Sequence, residues 1–272
     1  MTHTEQELDA FGEWERAAWE VRAAPYAASL GDLTRGSIPA LLDAAGVTVG
    51  TRVLDVGTGP GFVAHAALAR RAVVSAADQS SAMVEIACAA GVDAVVAPVE
   101  QLPYGAGSFD AVVAGYLLNH LPRPEAALAS LARVLRPGGR VALTVWDLPD
   151  ANPALGLFGP VVSALGLTAV VPPGPDAQRF SDDTAMSALL AGSLTDVRVE
   201  RVGWTVAVEP GAWFDAVAAA TPRTGAVLAA ASDEQRAQLR AHYVEVAVAD
   251  FGTSDGRVQL PASAVLGSGT RV

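Results

Sequence analysis

The sequence predicts an α/β protein, a mostly parallel sheet with helices on both faces and a helical cap. Three observations point there. From residue 53 to residue 146, short apolar strand-like runs alternate with helix-like stretches over short links, the pattern of a parallel sheet wound with helices. The first run, Val53-Leu54-Asp55-Val56, leads into Gly57, Gly59 and Gly61 at alternate positions, and a helical stretch over 62–70 follows. Strand, glycine turn and helix in that order build a nucleotide-type site, because glycine lets a ligand approach the main chain and the helix start offers free N–H groups. After Trp146 the rhythm breaks into Pro- and Gly-rich sequence, as expected of inserted cap segments.

In chain order, residues 1–45 read as helical. Trp14, Ala18, Val21, Ala24 and Tyr26 recur at near-helical spacing, and Pro25 is an expected interruption. A second helix is expected from Ser37 as N-cap to Gly46 as the glycine after its end. Trp14, Trp19 and Tyr26 either pack on the core or form a lid over the ligand. A second strand, 72–78, ends in Asp78, 19 residues beyond Gly59. That is where a carboxylate meets the ribose hydroxyls of a bound nucleotide, the alternative being a cap for the next helix over 80–90. Cys88 inside that helix is expected to be a small core residue. A third strand covers 94–97, a loop 98–108 and a fourth strand 109–115. Residues 116–121 form a junction carrying Asn119 and His120. An amphipathic helix over 124–135 stops at Pro137-Gly138-Gly139, and a fifth strand spans 140–146.

Residues 147–180 are expected to be a helical insertion with loops. Ser181-Asp182-Asp183 caps a helix ending near 191–192, and 197–208 alternates as a long strand. Residues 210–250 are helical again, with Ser232 to Gln235 as an N-terminal cap, and 257–267 is a last strand. The division expected is an N-terminal helical lid at 1–45, a nucleotide-binding core at 46–147, and the rest of the sheet at 148–272 with cap helices at 148–192 and 210–250.

Composition narrows the function. The 272 residues suffice for one large α/β domain or one domain with a subdomain. The net charge is −11 and every basic residue is arginine, with Arg70-Arg71 the only basic doublet. Such a surface repels phosphate backbones, so a nucleic-acid partner is not expected. No apolar run is long enough to span a membrane, and the acidic N-terminus lacks the apolar core of a signal peptide. With a single cysteine, these features set the expectation of a cytoplasmic protein.

From residue 53 to residue 146 the chain resembles the class I S-adenosylmethionine (SAM)-dependent methyltransferases. VLDVGTGPG resembles the first motif of that family and ADQS with Met83 the second. VEQLPYGAGSFDAVV resembles the adenine loop and fourth strand, and LNHLPRPEAALASLARVLRPGGRVAL the helix and fifth strand that follow. A nicotinamide or flavin site wants a third glycine where Phe62 stands. The resemblance implies a Rossmann-like seven-stranded sheet with an antiparallel hairpin at one edge, which the strands near 197–208 and 257–267 would supply. It implies SAM as cofactor and S-adenosylhomocysteine as its product. It also implies roles by position. Gly57, Thr58, Gly59 and Gly61 would form the turn under the methionine part, with Asp55 anchoring that end. Asp78 would hold the ribose, Gln79 and Met83 would flank the adenine, and Val99 and Glu100 would meet its edge. Ala114 and Gly115 would lie by the methionine moiety. Pro98 departs from the family, where an Asp or Asn often accepts from the adenine amino group.

His120, just past the fourth strand, is the candidate base, the alternative being a structural or substrate-shaping histidine. Tyr26, Tyr116, Asn119, Trp146, Phe158 and Trp213 are the candidate substrate pocket, with Trp204 and Phe214 as further aromatic walls. His242 and Tyr243 on a late helix are weaker candidates to reach it, and His3 and His65 read as surface residues. The four histidines and one cysteine are scattered, so no metal site is expected. The reading is a methyltransferase acting on O, N or C of a small, hydrophobic organic metabolite, for instance a natural-product intermediate. Two alternatives stand beside it: a SAM-binding protein catalysing a non-methylating reaction such as cyclisation, and a methyltransferase of protein or RNA. The acceptor and the oligomeric state are open at this point.

Overall fold

The computed structural model describes residues 3–168 and 171–272. Residues 1, 2, 169 and 170, which belong to the expected lid and insertion, lie outside the described residues. The chain begins with one long helix, α1 (Glu5–Ser29). Thr4 caps it reciprocally with Glu7, each backbone N–H donating to the other side chain. The break expected at Pro25 does not occur, and α1 runs through it. Proline removes one helical donor, the partner of the Val21 carbonyl. Val21 is exposed, so water can take that carbonyl.

The second expected helix is two short ones, α2 (Gly31–Arg35) and α3 (Ile38–Ala44). Ser37 does not cap α3: it has helical φ/ψ, and its Oγ lies 2.7 Å from the Tyr116 hydroxyl. Pro39 in the first turn starts the helix instead, its missing N–H being one the turn leaves free. Gly46 ends it at φ +70°, and Val47 N–H closes back onto Leu42 C=O.

Next come β1 (Arg52–Val56), α4 (Phe62–Ala69), β2 (Val73–Asp78), α5 (Ser81–Ala89), β3 (Ala94–Val96), β4 (Phe109–Gly115), α6 (Pro124–Val134) and β5 (Leu135–Trp146). β5 starts earlier than expected, pairing Leu135 with Phe109 before an irregularity at 136–139 and regular pairing from Arg140. The remainder is α7 (Pro153–Gly156), α8 (Phe158–Ala164), α9 (Asp183–Ala191), β6 (Thr195–Val208), α10 (Pro210–Ala220), α11 (Pro222–Ala230), α12 (Asp233–Phe251) and β7 (Val258–Thr270). Asp182 caps α9, and Ser232 with Gln235 caps α12.

The sheet has seven strands in the order β3-β2-β1-β4-β5-β7-β6. β1 to β5 are parallel, and β7 runs antiparallel between β5 and β6. Alternate strand residues feed two cores. Leu54, Val56, Val112 and Leu143 pack with α6 and α9 on one face. Val53, Ala76, Val113 and Ala142 pack with α3, α4 and α5 on the other. Alanine dominates the second face, which lets those helices sit close. Cys88 is not a core residue but exposed. α5 buries Met83, Val84 and Ala87, and the next position turns about 100° away. A third cluster, from α8, α10, α12 and the strand ends of β6 and β7, forms the cap. Among the described residues no helix is long and apolar enough to cross a membrane.

Candidate functional site

A cavity of about 920 Å³ opens where β1, β2, β4 and β5 end, with Val56, Asp78, Gly115 and Trp146 on its wall. Trp19 and Tyr26 of α1 line one side, and residues 221–224 another. This lies in the upper part of the roughly 300–1,000 Å³ range of small-molecule sites, and the carboxyl ends of parallel strands are where such sites form.

The glycine turn is organised from behind. Asp55 is 1% exposed, and its Oδ2 accepts from Thr58 Oγ1 at 2.7 Å and from the Ala64 amide at 3.0 Å. One carboxylate thereby ties β1 to the turn and to the first turn of α4. Burial pushes its carboxyl up to about 7, and its Oδ1 is buried with no hydrogen-bond partner. Gly57, Gly59 and Gly61 all have positive φ. At Gly57 a Cβ would come within 2.9 Å of Leu117 Cδ1, a cavity wall. At Gly59 it would stand 3.9 Å from Met83 Sδ and 4.0 Å from Tyr26 Cε1, in the gap between those side chains.

Asp78 joins turn to strand. Its Oδ2 accepts from Gly59 N–H at 2.8 Å and its Oδ1 from Ser80 N–H at 2.9 Å. Enclosure by protein raises its carboxyl above the usual aspartate range, against the pull of those bonds. A carboxylate has about four acceptor sites, so two remain for a ligand. Beyond it Gln79, Met83, Ala97, Pro98, Val99 and Glu100 form a largely apolar slot.

The other part of the cavity is aromatic. Tyr116 stacks on Trp146 with ring centroids 3.8 Å apart, and Phe158, Leu155 and Asn152 continue that wall. Burial pushes the Tyr26 phenol up to about 12 and the Tyr116 phenol higher still, so both rings are neutral in ordinary conditions and serve as walls. His120 ends a short 3-10 turn after β4. Its Nδ1 lies 3.0 Å from Glu15 Oε2, and Trp19 meets the ring edge-on at 5.0 Å between centroids. Asn119 donates from Nδ2 to Ala177 C=O at 2.6 Å, leaving Oδ1 buried and unpaired.

Of the cofactor candidates, Gly57, Gly59, Asp78, Gln79, Met83, Val99, Glu100 and Gly115 line the cavity. Asp55, Thr58, Gly61 and Ala114 do not. Thr58 faces Asp55. Gly61 packs on α5 and the turn after it, where a Cβ would meet Ala87 Cβ at 3.4 Å and Val92 Cγ2 at 3.0 Å. Ala114 is buried inside β4. Of the pocket candidates, Tyr26, Tyr116, Asn119, Trp146 and Phe158 line the cavity, whereas Trp213 does not. Its indole donates to Ala154 C=O at 2.8 Å inside the cap, because a buried Trp needs a partner for its N–H. Phe214 and Tyr243 sit in the same cluster, Trp204 packs beside it, and His242 faces Glu245. Among the described residues no three metal-ligating side chains are gathered.

Sequence reasoning missed Glu15, Asn152 and Arg223, and left Trp19 between core packing and a lid, where the structure puts it on the cavity wall. For Glu15 a signal was present: Phe11, Glu15 and Trp19 recur every four residues, an acid in the middle of an aromatic helix face.

The residues present fit a nucleoside with an amino-acid tail: a turn whose cavity-lining positions, Gly57 and Gly59, lack a Cβ, a carboxylate with acceptor sites to spare, and an apolar slot beyond it. Residues 54–143 match a family described as a methyltransferase domain. The chain is 32% identical over 185 residues to a ubiquinone biosynthesis O-methyltransferase of Dechloromonas aromatica, covering 64% of this chain and 75% of that protein. It is 31% identical over 189 residues to an uncharacterised protein of Mycobacterium tuberculosis, covering 66% and 67%. A structure of a putative methyltransferase from an antibiotic biosynthesis pathway of Anabaena variabilis superposes with a TM-score of 0.58 at 17% identity, covering 86% and 96%, a likeness of fold. The seven-stranded sheet, the glycine turn with its two acids and these similarities together place the chain in the class I SAM-dependent methyltransferase family, whose cofactor is S-adenosylmethionine.

Proposed function

We propose that this chain methylates a hydroxyl group of a small, planar, largely apolar organic molecule, a natural-product intermediate being a suitable case. The observation that carries the reading is His120 standing on the same cavity as the Tyr116–Trp146 stack and Phe158. The likeness to a ubiquinone biosynthesis O-methyltransferase supports oxygen over nitrogen or carbon. The α1 roof and the aromatic wall support a small acceptor over a protein or RNA strand. The single cysteine supports a cytoplasmic setting.

In this reading Gly57, Gly59 and Gly115 receive the methionine part by main-chain contact, Asp78 takes the ribose hydroxyls, and Met83 and Val99 sandwich the base. Gln79 and Glu100 are the side chains that can meet the adenine edge, since Pro98 has no acceptor. S-adenosylmethionine, when bound, supplies an electrophilic methyl carbon. The chain's part is alignment, worth up to about 7–11 kcal/mol in model reactions, and removal of a proton. The stack and Phe158 hold the acceptor's flat body. His120 takes the hydroxyl proton as the oxygen becomes the nucleophile, worth roughly 10²–10⁴-fold.

Incubation with S-adenosylmethionine and a panel of mono- and dihydroxyarenes tests this. S-adenosylhomocysteine should appear together with a methyl ether. Consumption of an acceptor without S-adenosylhomocysteine would favour a cyclisation-type reaction instead. His120→Ala should lower turnover by about 10²-fold with cofactor affinity unchanged, and undiminished turnover removes the base role. Asp78→Ala should weaken cofactor binding on the order of 10- to 100-fold by calorimetry, since a hydrogen bond to a charged group is worth about 1.5–3 kcal/mol.

A further inference from the structure

We propose that Glu15 is a positioning residue for His120: from α1 it fixes the ring tautomer that leaves Nε2 without a proton and free to receive one. The proposal rests on the reading of His120 as base but concerns a residue outside the family motif, on the helix that roofs the cavity.

Glu15 is 1% exposed, although it sits on a helix whose neighbouring positions are largely open to solvent. A buried acid is rare unless it is paired. Its Oε2 is 3.0 Å from His120 Nδ1. A carboxylate only accepts hydrogen bonds, so in the neutral ring this contact places the proton on Nδ1 and the lone pair on Nε2. The free imidazole ring favours the opposite form, with the proton on Nε2, so the contact reverses an intrinsic preference. When Nε2 takes a proton, the ring becomes a cation already facing an anion. In a site shielded from water that attraction is stronger than in solvent.

The rest of the local structure holds this pair in place. Glu15 Oε1 is buried with no hydrogen-bond partner and faces Arg223 Nη2 at 3.8 Å, an atom equally buried and unpartnered. The Arg223 guanidinium lies over the Phe11 ring, 5.7 Å from its centroid. Trp19, one turn beyond Glu15, meets the His120 ring edge-on. Phe11, Glu15 and Trp19 share one stripe of α1, so the helix delivers the acid and both flanking rings together. The orientation of His120 therefore depends on α1 being docked.

Long-range ¹H–¹⁵N correlation spectra of the ring nitrogens read this without any methyl acceptor. The full chain is recorded at a pH where the rings are neutral, and the His120 pattern is identified by its loss in His120→Gln. The wild-type ring should show the Nδ1–H form. Glu15→Leu, similar in size and without an acceptor, should shift the pattern to the Nε2–H form, with far-UV circular dichroism confirming the fold. A wild-type ring in the Nε2–H form overturns the proposal even if Glu15→Leu fails to fold, and so does a folded Glu15→Leu protein with an unchanged pattern. Because the spectra need no turnover, they decide the role of Glu15 separately from the His120→Ala assay, which decides whether the ring acts as base.

Discussion

Asp55 and Asp78 are both acids that end strands beside the glycine turn, yet they do different work. Asp78 is on the cavity wall with acceptor sites unused, while Asp55 is spent on Thr58 and Ala64 behind the turn. The difference is measurable as pH dependence. Asp55 has an ordinary value of 3.8 and is raised to about 7 by burial in the folded chain. An acid raised on folding contributes stability that is full below its unfolded value and lost as pH rises through its folded value. Asp55→Asn keeps an oxygen for Thr58 and Ala64 but cannot ionise. Urea titrations should show wild type losing about 2–3 kcal/mol more than Asp55→Asn between about pH 5 and pH 8, at about 1.36 kcal/mol per unit. Equal slopes would mean the carboxyl is ionised at little cost. At this scale the motif was legible but its geometry was not. VLDVGTGPG located the turn, yet only packing shows that Thr58 and Gly61 face away from the cavity.

Among the elements, α1 is tied down at several points along its length. Glu5 and Asp9 pair with Arg123, Glu15 meets His120, Glu20 accepts from Ser81 Oγ and from the Ala82 amide at the start of α5, and Arg22 donates to Thr221 C=O. The exposed pairs among these are worth about 0–1 kcal/mol each, whereas the acid of the Glu15–His120 contact is buried. Its apolar contacts include the buried Phe11 and Ala23 as well as Trp19 and Tyr26, which face the cavity. We therefore expect saturating S-adenosylmethionine to slow amide hydrogen exchange in α1 and in residues 57–61, with α12 little changed. Mass spectrometry reads this directly. Unchanged exchange in α1 would show that it is a fixed wall rather than a lid. Near-helical spacing identified this helix in the sequence, but Pro25 argued for a break that tertiary contacts and an exposed Val21 made unnecessary.

Across the whole molecule, two cores flank the sheet and a third fills the cap. The third holds Tyr243, fully buried between Phe158 and Phe214, its hydroxyl without a partner. Tyr243→Phe removes an unpaired polar atom and keeps the ring, so stability should hold or rise by up to about 1 kcal/mol. Tyr243→Ala empties the space and should cost about 3–5 kcal/mol. Denaturant titrations separate the two, and a loss in the Phe variant would show that the hydroxyl is hydrogen-bonded. Tyr243, Trp213 and Phe214 show why the cap was the part least legible in the sequence. Aromatic residues on amphipathic helices look alike whether they line a ligand cavity or fill a core, since both surfaces are apolar.

The alternation of strands and helices, the spacing from Gly59 to Asp78 and the glycine turn are local regularities, set by backbone sterics and by side-chain period. They were enough to predict a mostly parallel sheet with helices on both faces and to single out the glycine turn, beside which the cavity lies, while the seven strands with an antiparallel edge were implied by the family resemblance. Which side chains turn toward that site depends on how distant segments pack. Only the tertiary structure brought Glu15 to His120 across 105 residues of sequence, sent Trp213 into the cap and exposed Cys88. Those outcomes depend on the burial of one helix face against another: a local pattern such as the Phe11-Glu15-Trp19 stripe marks a face of the helix, but not the residue that face meets.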